Sequence, residues 1–334
     1  MDVEHPIGLN LFSEANETNK HLVASGVVSI FKSIWPDYWG PRLEYLLYSC
    51  VASLLECQNT SLLGITRILT DPTYRRWVVK QVKDPLLRNF WEQEFERYGK
   101  EFLTQPISPI QNKIGQVLLT PVIRNILGQV RSKIDMRYMM DNRKIFIANL
   151  SKGAIGEDKA NLLGAILLSK FQLAAMSRAD MPEDERTDFF LYADEFHNFS
   201  TDSFATALSE ARKYRFCLTL AHQYSDQLRE STKQAVFGNV GSMACFRVGG
   251  QDAETLSKEL TEEYPPRTFT ELPNYEMIIK TIEHGIESTP HRATSLKPLN
   301  LRFNNRENLI RISRQKYATS KIVVEGKINR WLKN

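Results

Sequence analysis

Between residues 144 and 248, four short apolar runs alternate with stretches of helical periodicity. This rhythm constrains the fold more than any other feature of the chain. The runs are 144–150 (KIFIANL), 189–193 (FFLYA), 216–221 (FCLTLA) and 243–248 (MACFRV). Each has the length and apolar content of a buried strand. Residues 161–177 and 203–214, lying between runs, carry apolar positions three and four apart, as a helix requires. Strands and helices in this alternation build βαβ units, hence an α/β fold with a mainly parallel sheet and flanking helices. Residues 19–129 follow a different pattern. Leu43, Leu46, Leu47, Cys50, Val51, Leu54 and Leu55 mark one face of an amphipathic helix. Pro36, Pro41, Pro72, Pro85, Pro106, Pro109 and Pro121 stand where helix starts and turns are expected, and no strand interrupts them. This region reads as a small all-α domain. The first dozen residues read as an extended segment with no convincing partner nearby, and a last helix is expected from about residue 306.

The run at 189–193 ends in Asp194-Glu195. A buried strand that closes on two acids delivers carboxylates to the C-terminal edge of a sheet, where open α/β sheets bind ligands. In a nucleotide hydrolase the first acid holds the Mg²⁺ shell and the second orients or deprotonates the attacking water. Alone, the same pattern also describes a capped turn. The next run ends in His222-Gln223, so Gln223 is expected at the same edge, where its amide can reach a γ-phosphate or the lytic water without adding charge. Between the two runs lies Glu210-Ala211-Arg212-Lys213-Tyr214. Arg212 reads either as a cation complementing a helix end or as an arginine finger reaching a neighbouring subunit's site.

Tyr192-Ala193-Asp194-Glu195-Phe196, Leu208-Ser209-Glu210-Ala211-Arg212-Lys213-Tyr214 and Leu218-Thr219-Leu220-Ala221-His222-Gln223 together resemble three successive motifs of the FtsK-HerA superfamily of P-loop ATPases. Within it they look like the TraG/TraD-type coupling proteins of type IV secretion and conjugation, and their HerA-like helicase relatives. His5 to Leu11 and Leu150 to Gly156 resemble flanking segments more weakly. The resemblance implies a partial RecA-like core with an all-α inserted domain, working as a hexameric ring that hydrolyses ATP and moves DNA. It makes Asp194 and Glu195 the Walker B pair, Asp194 holding Mg²⁺ through water. It makes Gln223 the γ-phosphate sensor, bound to nucleotide with Asp194, and Arg212 a finger acting in trans. The implied partners are DNA through its backbone, further copies or a longer ATPase in the ring, and relaxase or secretion-channel proteins. The implied organisation is a strand-exit segment at 1–18, the all-α insertion at 19–129, the RecA-like core at 130–265 and a basic extension at 266–334.

One part of the family pattern is missing. A phosphate loop, G-x-x-x-x-G-K-[ST], supplies amides and a Lys to the phosphates. Gly26-Val27-Val28-Ser29-Ile30-Phe31-Lys32-Ser33 has the first Gly, the Lys and the Ser in register. Phe31, however, occupies the second glycine position, where a Cβ crowds the approach of phosphate, and Val27 and Val28 suit a helix interior. Residues 153–159 fail on spacing. The chain is therefore expected to be a segment of a longer ATPase, or its downstream gene product, with little or no hydrolysis of its own. The alternative is a complete relative that has lost hydrolysis and binds DNA or a partner. A metal-dependent phosphohydrolase using Asp194, Glu195 and His197 is a third reading.

Residues 296–334 hold ten Lys or Arg against two acids, a local excess that favours phosphate backbones or anionic surfaces. Cys50, Cys57, Cys217 and Cys245 form no CxxC pair, so neither a zinc site nor a disulfide framework is expected. No run of about 18 apolar residues is evident, and the first residues lack the order of a secretory signal. A cytoplasmic location is expected, at the inner face of a membrane if the chain works in a larger complex. Trp35, Trp39, Trp77 and Trp91 are expected in the helical core.

Overall fold

The first helices follow the periodicity that marks them. In the computed structural model, α1 (Lys20–Ile34) buries Val23, Val27, Ile30 and Phe31, and α2 (Pro41–Leu55) buries Leu43, Leu47, Cys50, Val51 and Leu54. The structure describes all residues except 1, 98, 99, 261, 262, 300, 302 and 334, and no side chain at 100–106, 154 or 283. The further helices are α3 (Leu63–Thr70), α4 (Pro72–Val79), α5 (Pro85–Asn89), α6 (Lys100–Leu119), α7 (Pro121–Leu127), α8 (Met136–Asp141), α9 (Lys152–Ile155), α10 (Glu157–Ser177), α11 (Asp202–Leu208), α12 (Glu230–Asn239), α13 (Gly250–Leu260), α14 (Pro266–Thr270), α15 (Arg306–Tyr317) and α16 (Lys321–Lys333). The strands are β1 (Phe189–Ala193), β2 (Phe216–Leu220), β3 (Met243–Cys245), β4 (Glu276–Lys280), β5 (Ile282–Glu283), β6 (Ile286–Glu287) and β7 (His291–Thr294). The chain forms two compact units, Met1–Thr187 with Asn305–Asn334, and Asp188–Asn304.

The first unit is helical. Pro41, Pro72, Pro85 and Pro121 open α2, α4, α5 and α7, where a missing N–H costs nothing. Asp71 caps α4 by accepting from Thr73 N at 2.9 Å and Tyr74 N at 3.1 Å. Pro106 and Pro109 depart from the expectation and lie inside α6. Trp91 is buried and donates to Ser53 Oγ at 2.7 Å, whereas Trp77 is 46 % exposed and stacks on Tyr74. α10 with the turn after it, Glu157–Asp180, is long and apolar enough to cross a membrane by length and composition, which the run-by-run reading of the sequence missed. In the fold 67 % of its apolar window is buried, much of it against α1 and α8.

The N-terminal segment finds its partners far along the chain. Leu9, Leu11 and Phe12 are buried, Leu9 N donates to Ile126 O at 3.0 Å, and Ile7 bridges Ala318. Asn10, only 2 % exposed, donates to Thr60 O and Val130 O, both at 2.9 Å. Lys170 of α10, 1 % exposed at its side chain, reaches Asn10 O at 3.0 Å and Glu14 at 2.5 Å. Burial raises the Glu14 carboxyl above its ordinary value and lowers the Lys170 ammonium, although each partner pulls the other the opposite way.

The second unit holds the sheets. β1 and β2 pair in parallel, with Phe189 opposite Phe216 and Ala193 opposite Leu220. The parallel sheet is smaller than the four runs imply. Residues 144–150 enter no ladder; Ile145 and Ile147 are 89 % and 81 % exposed, while Phe146 packs edge-on to Phe171. An apolar run makes a buried strand only when another strand lies beside it, and none does here among the described residues. The fourth run leaves the parallel sheet as well. β3 pairs antiparallel with β4, and β4 with β7, and the resulting face packs Cys245 and Ile278 with Ala253, Leu260, Phe269 and Leu272. β1 itself is half-exposed, with Phe190 and Tyr192 60 % and 74 % exposed on one face.

Candidate functional site

Parallel pairing from a common start brings both strand exits to one rim. Beyond Ala193 and Leu220 the pairing persists for a step: Ala221 N donates to Ala193 O and Phe196 N to Ala221 O, both at 2.9 Å. The chain turns sharply at Glu195, whose φ of 52° is left-handed, a conformation rare for a residue with a Cβ. Side-chain hydrogen bonds add to the backbone bond from Asn198 N to Glu195 O in holding that turn. Glu195 N donates to Asp194 Oδ1 at 3.0 Å, and Asn198 Nδ2 donates to Glu195 O at 3.0 Å.

The rim therefore presents Asp194, exposed, beside Glu195, partly buried. Gln223 comes to it from β2, as its position after the second strand predicts. Its Nε2 donates to Glu195 Oε1 at 2.5 Å. His197 lies close by, its Nδ1 3.6 Å from Glu195 Oε2, a separation beyond hydrogen bonding. His222 is held below its ordinary pKa mainly by burial, with His197 acting in the same sense and Asp252 and Glu195 opposing. It is therefore neutral at pH 7. Among the described residues no three His, Cys, Asp or Glu side chains gather to hold a metal ion, so the constellation Asp194, Glu195 and His197 does not form a protein-only metal cage.

Arg212 is not on this rim. The helix expected at 203–214 ends at Leu208, and Arg212 sits, exposed, in a 3₁₀ turn that leads into the start of β2. Five residues of strand, about 16 Å, separate that end from the acids. Arg212 therefore lies at the opposite end of the parallel pair from Asp194 and Glu195. Gly26, Lys32 and Ser33 belong to α1, where Val27 and Val28 are buried, so this near-match is helix interior and forms no phosphate nest. Arg247 donates to Asn274 Oδ1 at 3.3 Å.

One residue of the site escaped the sequence reading. Asp252, in the first turn of α13 and 8 % exposed, accepts from Ser225 N at 3.1 Å and from Ser225 Oγ. It anchors the loop that carries His222 and Gln223. An acid in a helix's first turn is so common that its position alone carries no signal.

A carboxylate and a carboxamide thus face each other at the C-terminal rim of a parallel pair, the edge at which open α/β sheets bind ligands. The structure matches that of the bacterial conjugative coupling protein TrwBdeltaN70 in its unbound monoclinic form, with a TM-score of 0.60 at 13 % identity, over 86 % of this chain and 70 % of that one. It also matches the plasmid coupling protein TrwB in complex with ADP and Mg²⁺, with a TM-score of 0.59 at 13 % identity over 88 % and 72 % of the two chains. A third match is TrwB in complex with the non-hydrolysable ATP analogue ADPNP, with a TM-score of 0.58. At such identity the likeness is one of fold. No family model matches the sequence, and no curated protein does.

Proposed function

We propose that this chain is the acid-bearing part of an ATP-driven DNA translocase of the conjugative coupling kind. The observation that carries the reading is the meeting of Glu195 and Gln223 on one strand rim, in a fold shared with coupling proteins solved with ADPNP and with ADP and Mg²⁺. In this reading residues 130–265 belong to a RecA-like core, 19–129 to an all-α insertion, and 1–18 and 266–334 to the flanks. Bound Mg²⁺ would neutralise phosphate charge, with Asp194 holding its water shell. Glu195 orients the attacking water and takes its proton. Gln223 holds Glu195 in the structure described here and turns to the γ-phosphate when nucleotide is present. Arg212, at the far end of the sheet, serves the site of the next subunit in a ring.

The phosphate loop comes from other polypeptide. Two features support this besides the missing motif. Neither outer edge of the β1–β2 pair has a partner among the described residues, and Phe190 and Tyr192 stand uncovered, whereas parallel sheets are normally buried on both faces. DNA contacted through its backbone, and relaxase or secretion-channel proteins at the inner face of the membrane, are the partners this reading names.

Isolated from host cells in the assembly it forms there, the protein is expected to release phosphate from ATP with DNA stimulation. Glu195→Gln is expected to lower that turnover about a hundredfold or more; unchanged turnover overturns the reading. Purified alone, the chain is expected to release no phosphate above background. Robust Glu195-dependent turnover there would overturn the assignment of the phosphate loop to other polypeptide.

A further inference from the structure

The C-terminal pair α15–α16 carries none of the residues assigned a role above, yet it is basic and firmly seated. Its eight lysines and arginines stand against two acids, Glu307 and Glu325. α16 buries Val324 and Ile328. Arg67 donates to Trp331 O at 2.8 Å and lies 4.9 Å from the Trp331 ring centroid, and Asn125 donates to Glu325 at 3.0 Å. The elbow between the helices is fixed too. Thr319 N donates to Pro6 O at 3.2 Å, Lys321 N to Glu4 O at 3.0 Å and Lys133 Nζ to Ala318 O at 2.7 Å, while Arg314 pairs with Asp2.

What α16 leaves outward is charge. Lys327, Arg330 and Lys333 are exposed and recur every third residue, so they form a row along one side of the helix, rising about 4.5 Å per step. Among the described residues no carboxylate pairs with any of the three, and the helix's one acid is engaged by Asn125. A duplex strand presents one phosphate per about 3.4 Å of axis, so the row spans two or three of them. A lipid surface fits less well. An interfacial helix needs a free apolar face to sink into the headgroups, and α16 has committed Val324, Ile328 and part of Trp331 to the protein body. Only Ile322 and Val323 of its first turn, and Leu332 near its end, remain exposed.

We propose that the Lys327–Arg330–Lys333 face of α16 is a nucleic-acid backbone site without sequence preference. This inference rests on the DNA-handling part of the proposed function and places it on particular residues. Its test is fluorescence anisotropy of a labelled mixed-sequence duplex oligonucleotide, titrated with the purified chain over a range of salt. The K327Q/R330Q/K333Q variant is expected to melt as wild type does. Its slope of log affinity against log salt should be shallower by about 2 to 3, and its binding near 0.1 M salt at least on the order of a hundredfold weaker. Each single substitution is expected to remove about 0.9 from the slope. Wild-type affinity and slope in the triple variant would overturn this site and leave the proposed function standing. No DNA binding by wild type, even at low salt, would overturn both. Row-dependent binding to phosphatidylserine vesicles without DNA binding would make the surface a membrane contact instead.

Discussion

Replacing Lys170 by Met should destabilise the helical unit more than almost any other single change. The Lys170 side chain is 1 % exposed and that of Glu14 19 %, with 2.5 Å between the charged atoms. Lys170 also supplies the donor to Asn10 O at 3.0 Å and to Ser13 Oγ at 3.2 Å. Glu14 Oε1 already lacks a hydrogen-bond partner among the described residues, so without the ammonium the whole carboxylate is buried uncompensated. Removing one member of such a pair costs about 3–5 kcal/mol. In a folding unit of roughly 200 residues each kcal/mol moves the melting midpoint by about 2–4 °C, so K170M should melt roughly 10 °C lower. Desolvation, the dominant influence on both groups, implies that the pair itself is expensive. The double variant E14L/K170M should therefore recover most of the loss. Thermal unfolding followed by circular dichroism reads both numbers. A K170M midpoint within about 2 °C of wild type, or a double variant no better than the single, would refute the reasoning.

Three further outcomes follow from the same structure. Because the Glu14 carboxyl is raised above its ordinary value, its stabilising contribution is complete below that ordinary value and is lost as pH rises through the raised one. Wild type should therefore gain on E14L/K170M as pH is lowered from neutral to below the ordinary glutamate value of 4.5, and a constant gap in melting midpoint would contradict this. Asn10→Ala strands the buried carbonyl of Thr60 and removes the donor to the part-buried carbonyl of Val130, and should cost about 1–3 kcal/mol in a denaturant titration; a cost below about 0.5 kcal/mol would count against that role. Asp252→Ala leaves Ser225 N and Oγ unpaired in a buried place. It should cost about 1–3 kcal/mol and speed hydrogen exchange at the Ser225 amide, whereas exchange unchanged from wild type would show that Asp252 does not hold the loop.

What could be read from the sequence depended on how local the signal was. The faces of α1 and α2 are written in residues three and four apart, and they fold as written. β1 and β2 were legible because each run ends in polar residues that must emerge at an edge, and their parallel pairing brings Glu195 to Gln223. Non-local facts were not legible. Residues 144–150 have strand composition but, among the described residues, no strand to pair with, and β3 pairs with β4, some thirty residues later, in the antiparallel sense. The burial of Leu9, Leu11 and Phe12 depends on α7, α10 and the C-terminal elbow, none of which a segment of a dozen residues can announce. Asp252 and Ser225 are joined across 27 residues. Pro106 and Pro109 inside α6 run against the usual meaning of proline in a helical pattern.

The central claim is spatial: Glu195 and Gln223 share one end of the parallel pair, and Arg212 occupies the other. Cross-linking of paired cysteines with a short phenylene bis-maleimide tests it directly, in a C217S background because Cys50, Cys57 and Cys245 are buried. E195C/Q223C should link within one chain, and E195C/R212C, about 16 Å apart along the strands, should not. Equal linking of the two pairs, or linking of the second alone, would contradict the account.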